Sequence, residues 1–321
     1  MITFQRTAVV VFLFMIVFLP SSASSAAAQP EAMPARCSLW LDVYTGEPVS
    51  FDSMIEDCLK AGVIYIGERH GLKRHHDMQR SFIEALSLKD RTPLLGIEQM
   101  ESYNQPALDR FNRGEIDFDR LAAETDWARR WSNYGDYRDV LEACRKAGGS
   151  VFALNARAEV VRAVARAGLS ALGERERTEL PAEIDLENKE HERLLGMMLP
   201  VHAFINGEGL RRMYEAQVVR DEKMADVLSE RLLKKYADGK NSIVVVIGGA
   251  AHFAYGLGVP SRVGRRVPGI RKRIIIFSES GDLRPDEGER MMARETGITH
   301  EGLKFITGPI ADYIHIIERA R

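Results

Sequence analysis

A recurring pattern constrains this chain more than any other feature: short apolar runs, each ended by a glycine or a polar residue at the same point. Val63-Ile-Tyr-Ile-Gly67 leads to His70, and the run from Ser242 through Gly249 leads to His252, so each histidine follows a strand-breaking glycine by three residues. Leu94 to Ile97 is followed by Glu98, Val151 to Leu154 by Asn155, and Arg273 to Phe277 by Ser278. Runs this short and this rich in Val and Ile read as strands buried on both faces, which is the habit of parallel sheets. Between them lie stretches of helical periodicity. Lys73 to Leu86 is one, and Asp136 to Ala147 is a second, stopped by Gly148 and Gly149. Arg157 to Ala167 is a third, with Val160, Val161 and Val164 on one face and Gly168 as its stop. Alternating strands and helices of this length predict βαβ units: an α/β fold, with a mostly parallel sheet flanked by helices. A last run, Tyr313 to Ile317, predicts an edge strand returning to the sheet.

One stretch breaks the rhythm. About 171–238 is long, charged and helical in pattern, with helices expected over Asn188 to Met198 and Glu208 to Tyr236 and no strand-like run. It reads as a helical insertion that forms either a lid or dimer arm over the ligand crevice, or a helical pair filling a sheet face.

With 45% hydrophobic and 28% charged residues, the 321-residue chain can bury a large core. Its net charge of -2 offers no global attraction for nucleic acid. The cluster Arg262, Arg265, Arg266, Arg271, Lys272 and Arg273 reads first as a solvated face. At the N-terminus, Arg6, the apolar stretch Ala8 to Leu19 and the Ala26-Ala27-Ala28 segment together predict a signal peptide over 1–28, too short to span a membrane. Export to the periplasm or cell envelope follows. Cys37 follows Arg36, lies well past the apolar stretch and has no lipobox before it; in an oxidising compartment a Cys37 to Cys58 disulfide is open to it, with Cys144 a buried thiol.

The chemistry gathers where the strands end, because ligands of open α/β sheets bind beyond the strand carboxyl ends. His70, Glu98 and His252 suffice in number for a divalent metal that keeps a position open for water. A haem would instead want an apolar slot and an axial Tyr or His. Tyr255, three residues after His252, is expected on the same face of a first helical turn, with Tyr134, Tyr214 and His202 as further candidates. Glu68, or one of the adjacent pair His75 and His76 on the following helix, would act as a base or as support behind the ligands.

These residues also carry a family likeness. The segments Gly67 to His70 with His75-His76, Gly96 to Glu98, Trp131 to Tyr134, Ala153 to Asn155, Ala216 to Met224 around Asp221, and Gly249 to Pro260 occur in this order. Together they resemble the ChaN family of haem-binding uptake proteins within the Tiki and TraB superfamily, over about Val63 to Val267. The resemblance implies an exported protein that binds haem between two subunits and serves iron acquisition, with an uptake receptor as a further partner. The wider superfamily implies something else: paired Gly-x-x-His motifs with an acidic residue, some of them in metal-dependent proteases. Gly67, His70, Glu98, Gly249 and His252 match that signature. Gly71 departs from it, standing where the family often has aspartate. The leading expectation is haem binding through His70, Glu98, His252, Tyr255 and His76. The alternative is a metal-dependent hydrolase with His70, Glu98 and His252 as ligands.

Overall fold

A computed structural model of the protein describes residues 38–198, 207–238, 241–280 and 300–318. The expected signal peptide, Cys37 and His202 lie outside the described residues. The sheet has eight strands in the order β2-β1-β8-β7-β3-β6-β4-β5. Their ranges are β1 Ser38–Asp42, β2 Pro48–Val49, β3 Val63–Glu68, β4 Thr92–Glu101, β5 Ser150–Asn155, β6 Ser242–Gly249, β7 Lys272–Ser280 and β8 Tyr313–Glu318. The block from β8 to β5 is parallel throughout; β1 pairs antiparallel with β8, and β2 turns back antiparallel to β1.

The parallel strands form where the apolar runs lie, and their side chains alternate between two cores. On β3, Ile64 and Ile66 join Ile247, Leu95 and Phe277 on one face. That face is covered by α1 Phe51–Cys58, α2 Lys73–Leu88, α3 Gln105–Asn112, the short α4 Phe118–Glu124 and α5 Trp127–Arg130, and α6 Arg138–Lys146. Val63 and Tyr65 point the other way, to Val244, Val246 and Phe152. Each fully buried Val or Ile contributes roughly 1.5–3 kcal/mol, so the central strand pair β3 and β6 anchors the molecule.

Beyond β5 come α7 Ala158–Ala167, the single turn α8 Glu174–Arg177, α9 Lys189–Met198 and α10 Gly207–Asp238, a helix of 32 residues. The described residues of the expected insertion contain no strand. Its long helix fills a sheet face: Met224, Ala225, Leu228 and Leu232 are fully buried against β3 and β6, beside Val259 and Val263 of α11 Val259–Arg266.

Two expectations change. β8 is an interior strand, parallel to β7 and antiparallel to β1, because the N-terminal hairpin caps the sheet beyond it. The arginine cluster is a web of ion pairs: Arg265 and Arg266 meet Glu222, and Arg273 meets Asp57. Cys58 is buried with its thiol 3.5 Å from Met54 Sδ, and Cys144 is buried as a thiol.

Candidate functional site

β3, β4 and β6 are neighbours in the sheet, so their carboxyl ends bring Glu68, Glu98 and the His252 turn together. The close approach depends on missing side chains. A Cβ on Gly67 would lie 2.9 Å from Ala250 Cα, and one on Gly249 would lie 2.9 Å from His70 Nε2. The two glycines of the Gly-x-x-His motifs thus let the two turns pack against each other.

Glu68 is the buried foundation. Its Oε1 accepts from His70 Nδ1 at 2.7 Å, from Gln99 Nε2 at 3.0 Å and from Tyr137 OH; its Oε2 accepts from Gln79 Nε2 at 2.5 Å. Burial alone would raise the pKa of this carboxyl, but hydrogen bonds and charge from His70 and His76 hold it far below the usual range. His76 lies beneath the crevice rather than in it. Its Nε2 faces the His70 carbonyl at 3.0 Å, its Nδ1 faces Gln79 Oε1 at 3.2 Å, and its ring packs on Tyr137. Its neighbour His75 accepts from the Arg69 amide and packs against Phe277.

Glu98 is equally buried and more heavily engaged. Oε2 accepts from the Gly249 amide at 2.6 Å; Oε1 accepts from His252 Nε2 at 3.1 Å and from the Arg220 guanidinium. Burial opposes its ionisation, yet His252, Arg220 and His70 together hold its pKa well below that of an ordinary glutamate. His252 in turn sits between two carboxylates, with Nδ1 2.5 Å from Asp221 Oδ1. Burial would lower its pKa, but Glu98 and Asp221 raise it to about 9. Both its ring nitrogens face carboxylate oxygens, so neither is free to meet a metal.

The expected trio therefore converges but not as a metal cage. The Arg220 guanidinium and the His252 imidazolium occupy the cationic places around Glu98, and no group of three or more His, Cys, Asp or Glu side chains placed to hold a metal occurs among the described residues. The divalent-metal alternative gains no support from this arrangement.

His70 differs from the other two histidines at the site. Its side chain is 36% exposed, Nδ1 is fixed on Glu68, and Nε2 stands 3.8 Å from Glu98, beyond hydrogen-bonding reach. Trp131 meets the ring edge-on at 4.8 Å. Burial pulls its pKa down, and Glu98 and Glu68 outweigh that effect and raise it.

The tyrosine candidates differ in what holds them. The 250–256 segment is two 3-10 turns broken at Tyr255 itself, whose φ is 58°, so helical spacing does not put its ring on the face of His252. The Tyr214 hydroxyl faces the Leu186 and Asn188 carbonyls, and Tyr134 stacks on Phe118. In their place the structure adds three residues of α10: Gln217, whose amide is 2.8 Å from His252 Nδ1, Arg220 and Asp221. Their spacing of i, i+3 and i+4 puts three polar groups on one face of a helix that is otherwise apolar there, and that was the available signal.

Fold and site define a class: an α/β protein whose paired Gly-x-x-His strand ends build an ionised, nearly closed polar cluster with one exposed imidazole. The chain belongs to the family described as haem-binding uptake, Tiki superfamily, ChaN, whose model matches residues 54–263. Among solved structures it is similar to one described as cofacial heme binding to ChaN of Campylobacter jejuni, at 21% identity and a TM-score of 0.64, covering 88% of this chain and 97% of that one; the likeness shows the fold. It is also 24% identical over 270 residues to Protein RETICULATA-RELATED 5, chloroplastic, of Arabidopsis thaliana, which is 77% of this chain and 36% of that protein. The chain thus spans about a third of that relative's length.

Proposed function

We propose that this protein binds haem at the mouth of the crevice, with His70 as the axial imidazole, and that it serves haem or iron uptake outside the cytoplasm. Membership of a haem-binding family supports the ligand. The observation that carries the residue is the state of His70: of the three candidate histidines it alone combines exposure with a ring nitrogen that has no hydrogen-bond partner. An imidazole whose other nitrogen is held by a carboxylate is the arrangement that fixes metal-ligating histidines and raises their basicity.

The donor set fits haem better than a bare divalent ion. Around His70 stand an indole, Trp131, suited to the flat apolar macrocycle, and a guanidinium, Arg220, 24% exposed and able to meet a propionate. Bound haem supplies an iron centre with an open valence for an imidazole. Glu68 orients the imidazole, Glu98 balances the charge behind it, and Gly249 leaves the space in front. A second copy of the chain meeting the exposed face, and a receptor that exchanges haem with it, belong to the same reading. So does export directed by the 1–28 segment.

Haemin titration tests the reading. Wild type is expected to bind with a shifted Soret band, and His70→Ala to weaken binding at least ~10-fold while retaining its thermal transition, since second-partner losses alone cost 10- to 100-fold. Undiminished binding by His70→Ala removes the residue assignment; no haemin binding by wild type removes the function.

A further inference from the structure

α9 is joined to the rest of the molecule through a side chain that the crevice does not use. His191 is fully buried, and groups from three elements face it. From α11, the Arg262 guanidinium lies 3.4 Å from His191 Nδ1. From α10, Asp221 Oδ2 lies 3.5 Å from Nε2, and the Tyr214 ring meets the imidazole edge-on at 5.7 Å. Behind Asp221 stands the charged His252, and behind Arg262 stands Glu222. On its own helix, Asn188 caps the His191 amide and Glu192 points outward to Arg211.

Donor and acceptor identities then fix the form of the ring. A guanidinium only donates, so Nδ1 must be the acceptor and the proton must sit on Nε2, toward Asp221. A second proton on His191 would place an N–H against the Arg262 N–H and a positive charge beside Arg262 and His252. Asp221, 3.5 Å away, offsets only part of that charge, because it also faces both of those cations. Releasing α9 relieves the conflict. Apart from His191, α9 is held by Leu194, by Leu195 packed on Tyr214 and Val218, by the half-buried Glu192 to Arg211 pair, and by Arg193 over Phe305. That is a small docking area for a helix of ten residues.

We propose that His191 is an acid-sensitive latch: neutral, it locks α9 onto α10 and α11, and protonated, it lets α9 leave, opening the cavity of about 200 Å3 that Glu192 and Gly196 of α9 share with Leu210, Arg211 and Tyr214 of α10. The device stands whether or not haem is the ligand.

Burial holds the His191 pKa at about 4, against the solvent-exposed value near 6.5 that a released α9 restores. Linkage between those values makes the released population grow ~25-fold between pH 7.5 and pH 5.0. Hydrogen exchange of the full chain, corrected for intrinsic rates, reads this directly. The peptide covering Lys189–Met198 is expected to lose protection by about that factor more than the same peptide loses in His191→Gln. In His191→Gln, whose amide can still donate to Asp221, protection of α9 should no longer depend on pH. Equal protection of α9 at both pH values, or an unchanged pH response in His191→Gln, overturns the latch.

Discussion

Gly67 and Gly71 stand four residues apart and carry different constraints. A Cβ at Gly67 would meet Ile276 Cδ1 at 2.5 Å and the Ala250 backbone at 2.9 Å, whereas at Gly71 nothing lies within 4 Å. Gly67→Ala is therefore expected to cost about 1–3 kcal/mol by overpacking, and Gly71→Ala to stay within about 0.5 kcal/mol of wild type. Urea unfolding of the two variants checks it; similar costs would mean that the turns after β3 and β6 are not in close contact. Arg220 offers a second residue-scale prediction. It is the permanently charged partner of the buried Glu98, and removing one partner of a buried pair strands the other. Arg220→Ala should lose about 3 kcal/mol in the same assay, and Arg220→Lys, which keeps charge but not the fork, should lose less. A null effect in Arg220→Ala would show that His252 and the Gly249 amide suffice.

Among the elements, β5 poses the problem of a sheet edge, and α3 solves it with side chains. Asn112 both donates to the Val151 carbonyl at 2.9 Å and accepts from the Val151 amide at 2.8 Å, and Gln105 Oε1 accepts from the Ala153 amide at 2.9 Å. Two amides thus take the place of a ninth strand on the outer edge, the kind of cover that keeps exposed edges from pairing with other chains. Asn112→Ala is expected to lose about 1–2 kcal/mol and to raise light scattering on mild heating. An unchanged scattering onset would show that α3 covers β5 by packing alone. α10 works at the same scale. Its later turns are a sheet cover, with Met224, Leu228 and Leu232 in the core, while Gln217, Arg220 and Asp221 reach the crevice.

Across the whole molecule, acid is expected to act through histidines buried in neutral form. His75 and His315 both meet Phe277 edge-on, and burial lowers each pKa to about 4. The folded state refuses a proton that the unfolded chain accepts below pH 6.5, so stability is full above that value and falls as the pH drops from 6.5 toward 4. Each such group adds a slope of about 1.4 kcal/mol per pH unit within that window. His315→Gln should flatten the pH dependence of urea unfolding by about that slope, without altering stability at pH 8 by as much. An identical pH profile would mean that His315 takes up its proton without unfolding.

Much of this was legible along the chain. Val and Ile runs with a glycine or polar stop marked β3, β4, β5, β6 and β7, because a strand buried on both faces leaves no other composition open to it. The same punctuation put His70, Glu98 and His252 at strand ends, since chain direction in a parallel sheet sends every carboxyl end to one side. Three things were decided only by the tertiary structure. β8 became interior because the β1–β2 hairpin, distant in sequence, pairs beyond it. The helical turn expected to align Tyr255 with His252 is broken at Tyr255, whose backbone adopts a left-handed conformation that spacing does not encode. The charge states of the crevice came from α10, which crosses it with Arg220 and Asp221 and turns two prospective metal ligands, Glu98 and His252, into halves of ion pairs. Local sequence determines what a segment can bury and where it stops. Which nitrogen keeps its lone pair depends on charges brought within a few ångströms from elsewhere in the chain, and only folding sets those distances.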